Sequence, residues 1–464
     1  MSSRRLSQSL TGSWRESSSW SLPALVNPTD DEVEDWLVTW RTVFARDLID
    51  SRIVEVDADK SVEDACELLL DEDIPCLTVR SRTEEPNSGG SPYHGLFDYA
   101  DVNAFLTLAA TRHTFLSDDS RGSQRVNDIV TAAKAGRVPV HLVSNLSDKN
   151  PIEILPHNAT LISLLGVFAR GAHRILIESA SNPREYVGMV SDRRLLSWFN
   201  SYARETPSFN KYLSNPIQSL SLPSLDLNDA VVAAKSSASI LDAMKLMSEQ
   251  GVSSIAVLEE NAGTLLSAVS VTDIGKIVVP SESNQILTTP LHYFISQIKE
   301  PYGSTDGADA YPVYSVFPSN LLSYTIDKIL ATNAHRVFVT KESGPASPIL
   351  SPSFHGLQGN LTGIVSIVDI LSLFARSAKI ANIILHRCSA TVAHHPPHPS
   401  PRFLIGISSI FPDQIAGQAS VAVQASSLRV QLAFRSWTVR GIQFRCSPLT
   451  LCRRSSSQRI RGAV

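Results

Sequence analysis

"SASILDAMKLMSEQGVSSIAVLEENAGTLLSAVSVTDIGKIV", residues 237–278, contains one complete folding unit. A Ser-led helix carries Ile240, Leu241, Met244 and Met247 on one face, and is expected to stop at Gly251, a residue that readily ends helices in the left-handed conformation. Two β-like runs follow around the turn-prone "ENAG", and a second helix starts near Val271. The order is helix, strand, strand, helix. It recurs where "SVEDACELLLDEDIPCLTV" leads to "HGLFDYADVNAFLTLAA" (61–110), and where "ATLISLLGVFARGAHRILIES" leads to "EYVGMVSDRRLLSWFNSYA" (159–203). A fourth copy runs from "LLSYTIDKILATNAHRVFVTK" to "LTGIVSIVDILSLFARSAKIAN" (321–382). Each unit is too small to bury both faces of its strands, so units must pair. The fold class is therefore α/β, with four repeats forming two tandem pairs in a flat pseudo-symmetric disc.

The repeats divide the chain into 30–110 (leading helix and repeat 1), 111–203 (connector and repeat 2), 204–280 (connector and repeat 3) and 281–384 (connector and repeat 4). The first connector holds a strand-like "RVPVHLVS". In the leading segment, "TDDEVEDWLVTWRTVF" offers an N-cap, acids in the first turn and an apolar stripe through Val33, Trp36, Leu37, Trp40 and Phe44, which predicts an amphipathic helix. Residues 1–29 are Ser-rich and too polar to pack alone, so they read as a disordered tail. Residues 385–464 form a second tail, with no Lys or Glu, ten Arg, three of the five cysteines and runs such as "AHHPPHPSPR". It has no sustained periodicity, and its His and Pro cluster lacks metal-site spacing. It too is expected to be disordered.

Composition narrows the function classes. The 464 residues are 43% hydrophobic and 19% charged, as in an ordinary soluble protein, and a net charge of -4 gives no basic footprint for nucleic acid or anionic membrane. Five cysteines, an odd number without zinc-site spacing, indicate neither a disulfide framework nor a metal knuckle. The start lacks an apolar h-region and no run approaches a membrane span, so a cytoplasmic and nuclear location is expected. Gly275-Lys276 lacks the upstream glycine of a Walker loop, and neither a dinucleotide fingerprint nor a Gly-x-Ser-x-Gly elbow occurs. A non-catalytic protein without an obligatory cofactor is the expectation.

Aligning the starts of the four second helices gives Asp98-x-x-Asp101, Ser191-x-x-Arg194, Ser270-x-x-Asp273 and Ser366-x-x-Asp369. A helix N-terminus presents unpaired N–H groups on which a phosphate can sit, and a carboxylate there can accept from both hydroxyls of a ribose. Ser-x-x-Asp is equally an ordinary capping box, and duplicated helices inherit duplicated caps. Arg194, doubled by Arg193, opposes the helix dipole and implies an anion nearby, unless Asp192 or water satisfies it. His173-Arg174 and His335-Arg336 stand at the mouths of strands in repeats 2 and 4, where their side chains would project toward the cleft in which repeats meet.

The unit order and the endings "AVSVTDI" and "GIVSIVDI" resemble cystathionine-β-synthase (CBS) domains, which pack as tandem pairs and often bind adenosine nucleotides. The joint pattern of Arg194 with the two His-Arg pairs resembles the γ subunit of the AMP-activated protein kinase. That resemblance implies ribose contacts at Asp101, Asp273 and Asp369, an Arg in place of the ribose Asp at Arg194, site-lining roles for Ser270 and Ser366, and a phosphate contact at Arg193, beside the phosphate-donor reading of His173, Arg174, His335 and Arg336. Asp98 departs from the usual Ser or Thr. AMP, ADP or ATP would then be regulatory ligands, and the partners would be protein kinase catalytic or scaffold subunits. Phrases such as "GLFDYADVNAFLTLAATRH", "GRVPVHLVSNLSDKNP" and "SVTDIGKIVVPSESNQIL" are more similar to the Sds-type four-CBS proteins of fungi, linked to phosphatase regulation, cell separation and stress responses. That resemblance implies a Ser/Thr protein phosphatase as partner, with or without nucleotide.

Overall fold

The computed structural model describes residues 25–82, 91–111, 124–182, 185–222, 224–225, 231–260, 264–281, 284–299, 315–341 and 361–380. Both tails expected to be disordered, apart from residues 25–29, lie outside the described residues. The chain enters through helix α1 (Asp30–Thr42), which starts on a capping box between Thr29 and Glu32. Repeat 1 then contributes β1 (Glu55–Val56), α2 (Val62–Asp71), β2 (Cys76–Arg80), β3 (Tyr93–Asp98) and α3 (Tyr99–Thr111), followed by α4 (Gln124–Lys134) in the connector. Repeat 2 is β4 (Ile154–Pro156), α5 (Leu161–Phe168), β5 (Arg174–Glu178), β6 (Tyr186–Ser191) and α6 (Asp192–Glu205), with α7 (Pro207–Leu213) after it. Repeat 3 is β7 (Ala233–Lys235), α8 (Ile240–Gln250), β8 (Ser254–Leu258), β9 (Leu265–Ser270) and α9 (Val271–Val278), with α10 (Leu291–Lys299) after it. Repeat 4 is β10 (Ser315–Val316), α11 (Leu322–Ala331), β11 (Arg336–Thr340), β12 (Leu361–Ser366) and α12 (Ile367–Ser377).

Each repeat forms its own three-stranded sheet, with its first pair of strands parallel and its second antiparallel. The equivalence extends to irregularities. The register slips at the same place in all four sheets, after Val79, Ile177, Val257 and Val339. Three residues before each antiparallel pair begins, the chain turns through positive φ at Asp73 (45°), Gly171 (106°), Gly251 (59°) and Asn333 (53°). Gly, Asn and Asp tolerate that conformation best, so the turn selects its residue in every copy.

Tandem repeats meet through their sheets. Cys76, Leu176 and Met189 pack between repeats 1 and 2, and Ala256, Leu258, Phe338, Leu361 and Ile364 between repeats 3 and 4. Helices join the two pairs crosswise: α3 lies against α8 and α9, while α5 and α6 lie against α11 and α12. Two large cores result, one shared by repeats 1 and 3 and the other by repeats 2 and 4. The four repeats thus close a cycle in the order 1, 2, 4, 3.

Two expectations need correction. "RVPVHLVS" is no strand: residues 140–142 form a 3-10 turn whose backbone is taken up by Lys60, Ala58 and local carbonyls, and Pro139 cannot donate to a ladder. The leading helix, assigned to repeat 1 by position, packs instead on repeats 2 and 4. Trp36 and Trp40 are buried there against Phe199 and Phe209, with ring centroids 5.0 Å apart for Trp36–Phe209 and for Trp40–Phe199.

Candidate functional site: where the helix tips of repeats 2 and 4 meet

The site begins with strand register. Arg174 opens β5 opposite Ser191, and Arg336 opens β11 opposite Ser366, so each His-Arg pair sits beside the N-terminus of its repeat's second helix. Crosswise packing of α6 and α11 then brings the two pairs together. The rings of His173 and His335 lie 5.6 Å apart in a T-shaped arrangement, around the carboxylate of Asp192. His173 Nδ1 is 2.8 Å from Asp192 Oδ2, and His335 Nδ1 is 4.0 Å from the same oxygen. Asp192 is 1% exposed, and its Oδ1 accepts the backbone N–H of Arg193 at 2.7 Å.

Burial pushes the Asp192 carboxyl up, but the His173 hydrogen bond and the charges of His173, His335 and Arg174 outweigh it and hold it below its ordinary value. Desolvation lowers His335, with Asp192 opposing and His173, Arg193 and Arg336 adding to the shift, so its imidazole is neutral at pH 7. Its side chain nonetheless keeps 48% exposure.

The arginines are anchored to protein acceptors. Arg193 donates to the carbonyls of Ile329 (3.4 Å) and Asn333 (2.8 Å), covering the C-terminal end of α11. Arg174 reaches Ser51 Oγ at 3.4 Å, and Arg336 reaches Ser253 Oγ at 2.8 Å. Arg194 is half-buried, and its backbone N–H donates to Ser191 Oγ at 3.1 Å.

The four helix starts are all capped, in different ways. In repeats 3 and 4 the serine and the aspartate three residues on bond reciprocally: Asp273 Oδ2 accepts from Ser270 N (2.9 Å) and Oγ (2.7 Å), and Asp369 Oδ2 accepts from Ser366 N (2.8 Å) and Oγ (2.6 Å). Asp369 is 4% exposed, and its second oxygen accepts Ser224 Oγ at 2.8 Å. Repeat 2 has Arg194 in place of the acid, and Asp50, from the segment ahead of β1, accepts from Ser191 N (3.1 Å) and Oγ (2.5 Å) instead. Repeat 1 has Asp98 as its cap, accepting from Ala100 N (2.8 Å) and Asp101 N (3.1 Å).

Asp101 is fully buried, and its oxygens accept from Asn145 N (3.1 Å), Ser147 N (2.9 Å) and Ser147 Oγ (2.8 Å). Desolvation first, then the charge of Asp98, pushes its carboxyl up to about 8. Asp101 therefore has both oxygens engaged by the segment that precedes repeat 2, while Asp369 has one engaged by its own cap, Ser366, and the other by Ser224 from the segment that precedes repeat 3. Asp273 is half-buried and lies in repeat 3, apart from the His173–His335 contact.

The two recesses described in the structure lie elsewhere. One of about 400 Å3, with Glu55, Asp57, Lys60, Asp64 and Arg80 on its walls, sits on repeat 1. The other, of about 210 Å3, lies between repeats 1 and 3 beside Ala100, Asn103, Lys149 and Ser253. Sequence reasoning treated Asp192 only as a counter-ion for arginine and did not single out Asp50 or Ser224. The contacts of Asp50 and Ser224 span 141 and 145 residues of chain, which no local pattern encodes.

The family model of the CBS domain matches residues 225–279, the stretch that holds repeat 3. Protein sds23 of Aspergillus niger is 28% identical over 389 residues, covering 74% of this chain and 73% of that one. The chain resembles the fungal Sds23 proteins. The sds23 protein of Neosartorya fischeri is 31% identical over 312 residues, covering 66% of this chain and 55% of that relative, so this chain spans little more than half its length. SDS23 of Yarrowia lipolytica is 29% identical, covering 72% of this chain and 66% of that one. Among solved structures, an archaeal protein of Methanocaldococcus jannaschii is 14% identical with a TM-score of 0.45, covering 72% of this chain and the whole of that one. The CBS model thus falls on repeat 3, and the other three units repeat its sheet topology, register slip and turn, as four CBS repeats would.

Proposed function

We propose that the chain is a non-catalytic regulatory protein that senses an adenine nucleotide where its four repeats meet and modulates a partner kinase or phosphatase in nutrient or stress signalling. The observation that supports this reading best is the convergence of His173 and His335, with Arg174 and Arg336 next to them in sequence, where repeats 2 and 4 meet. Guanidinium forks and imidazole donors at helix N-termini suit phosphate oxygens. Asp273 is kept as the ribose carboxylate of this reading by the CBS resemblance alone; its Oδ2 already accepts from Ser270 N and Oγ. The work would be done in the cytoplasm and nucleus.

Titration calorimetry of the full chain with AMP, ADP and ATP tests the proposal. Saturable heat with Kd on the order of micromolar, about -8 kcal/mol, is the expected result. No heat from any of the three at high micromolar concentration overturns it. A second reading has its own support. Segments at Asp50, Ser147 and Ser224 occupy polar groups at three of the four helix tips, as they would in a nucleotide-independent scaffold or phosphatase inhibitor acting in cell separation. Affinity capture from a fungal extract, followed by mass spectrometry, asks whether a kinase subunit or a Ser/Thr phosphatase co-purifies.

A further inference from the structure

We propose that His173, Asp192 and His335 form a binding site for a divalent first-row transition-metal ion at the seam of repeats 2 and 4. This inference does not rest on nucleotide binding. Two imidazoles and one carboxylate make a ligand set that suits zinc, cobalt, nickel or iron. Their ligand atoms all lie within 4.8 Å of one another. Metal–ligand bonds of about 2.0–2.2 Å place neighbouring ligand atoms in a tetrahedral shell roughly 3.3 Å apart. The distances of 2.8 and 4.0 Å from Asp192 Oδ2 to the two Nδ1 atoms straddle that value. A small rotation of the half-exposed His335 ring, with slight withdrawal of His173, converts one arrangement into the other.

The surroundings favour the three groups as ligands. Asp192 is held by the Arg193 N–H through Oδ1, and its Oδ2 lies 2.8 Å from His173 Nδ1 and 4.0 Å from His335 Nδ1. Both histidines are the last residues before strands, so their backbones are fixed by the sheets of two different repeats. Arg174, Arg193 and Arg336 donate to Ser51, to the end of α11 and to Ser253, but their charges still act on Asp192 and His335, so a bound ion has to work against them. With His335 half-exposed, the remaining coordination positions would go to water or to an anion. A bound ion would also stitch repeat 2 to repeat 4.

The alternative is a plain His173–Asp192 hydrogen bond with His335 as a bystander. Cobalt(II) titration of the full, chelator-stripped chain, followed by visible d–d absorption and zinc(II) competition, separates the two. The expected result is one equivalent bound at this site, displaced by zinc, and weakened at least tenfold in both His335→Ala and His173→Ala. It should be retained when His394, His395 and His398 of the tail are replaced together by Ala. A band that survives both single substitutions, or that disappears with the tail substitutions, overturns the proposal, as does no band at all. Thermal unfolding of each metal-free variant checks its fold. Should His173→Ala unfold, the half-exposed His335 decides alone, with His335→Gln as its second variant.

Discussion

The seam between repeats 2 and 4 and the seam between repeats 1 and 3 are built from equivalent helices in equivalent register, yet they are filled in different ways. At the first three positions of the second helix, repeat 2 has Asp192, Arg193 and Arg194, whereas repeat 1 has Tyr99, Ala100 and Asp101. Arg193 crosses to the C-terminal carbonyls of α11. Ala100 cannot cross, and the recess of about 210 Å3 lies beside it. A cation still serves the end of α8: Lys149, from the connector, places Nζ 2.6 Å from where a Cβ on Gly251 would stand. Both helix ends therefore acquire the positive charge that their dipoles favour, one from inside the repeat and one from outside it. Duplicated units can satisfy one electrostatic demand with residues at unrelated positions, which frees the original position to change.

Packing follows the same division. The 2–4 seam is aromatic, with Phe199 4.9 Å from Phe374 and 5.0 Å from Trp40 by ring centroids. Phe199→Ala removes the centre of that cluster and should cost the most, about 3–5 kcal/mol in chemical denaturation. In the 1–3 seam Tyr99 lies flush on Gly275, where an added Cβ would meet the ring at 2.2 Å. Gly275→Ala should cost about 1–3 kcal/mol by overpacking, and most of that should vanish in a Tyr99→Ala background. An additive double variant would contradict the close approach. Gly275-Lys276 is thus explained by helix packing, and Lys276 pairs with Asp73 at 2.8 Å.

The caps give a smaller contrast. Asp50→Ala takes away the acceptor of Ser191 N and Oγ and should cost about 1 kcal/mol in thermal or chemical unfolding, because Asp50 itself is exposed. No loss would mean that water replaces it fully.

The seams should also respond oppositely to pH. Asp101 keeps a proton in the folded chain where the unfolded chain has lost it. Its contribution is complete below the ordinary carboxyl value and is lost as pH rises through about 8. Asp192 has the reverse sign: its contribution is present above the ordinary value and is lost as pH falls through its lowered one. Unfolding curves from pH 3 to 9 should show both flanks, with Asp101→Asn flattening the alkaline one by on the order of 1 kcal/mol. An unchanged alkaline flank in that variant would contradict the assignment.

The repeat architecture was legible because each unit carries its own periodicity, caps and turn residue, all encoded within about forty residues. The placing of both His-Arg pairs at strand mouths was also legible, since they stand at duplicated positions, but the contact of His173 with His335 was not, because it depends on how repeats 2 and 4 pack. Crosswise helix packing was not, nor was the attachment of α1 to repeats 2 and 4, since an apolar stripe states that a face is buried without stating against what. The ribose reading of Asp101 and Asp369 met a limit of the same kind. A capping motif looks identical whether its second oxygen faces solvent or meets Ser147 or Ser224 from a distant segment.

The central claim is that the basic strand mouths of repeats 2 and 4 form an anion-binding centre. ATP titration of the full chain beside Arg336→Ala tests it most directly, since Arg336 is neither a cap nor one of the three metal-ligand candidates. The account expects saturable heat in the parent and at least tenfold weaker binding in the variant. Equal affinity in the two proteins, or no heat in either, would contradict it.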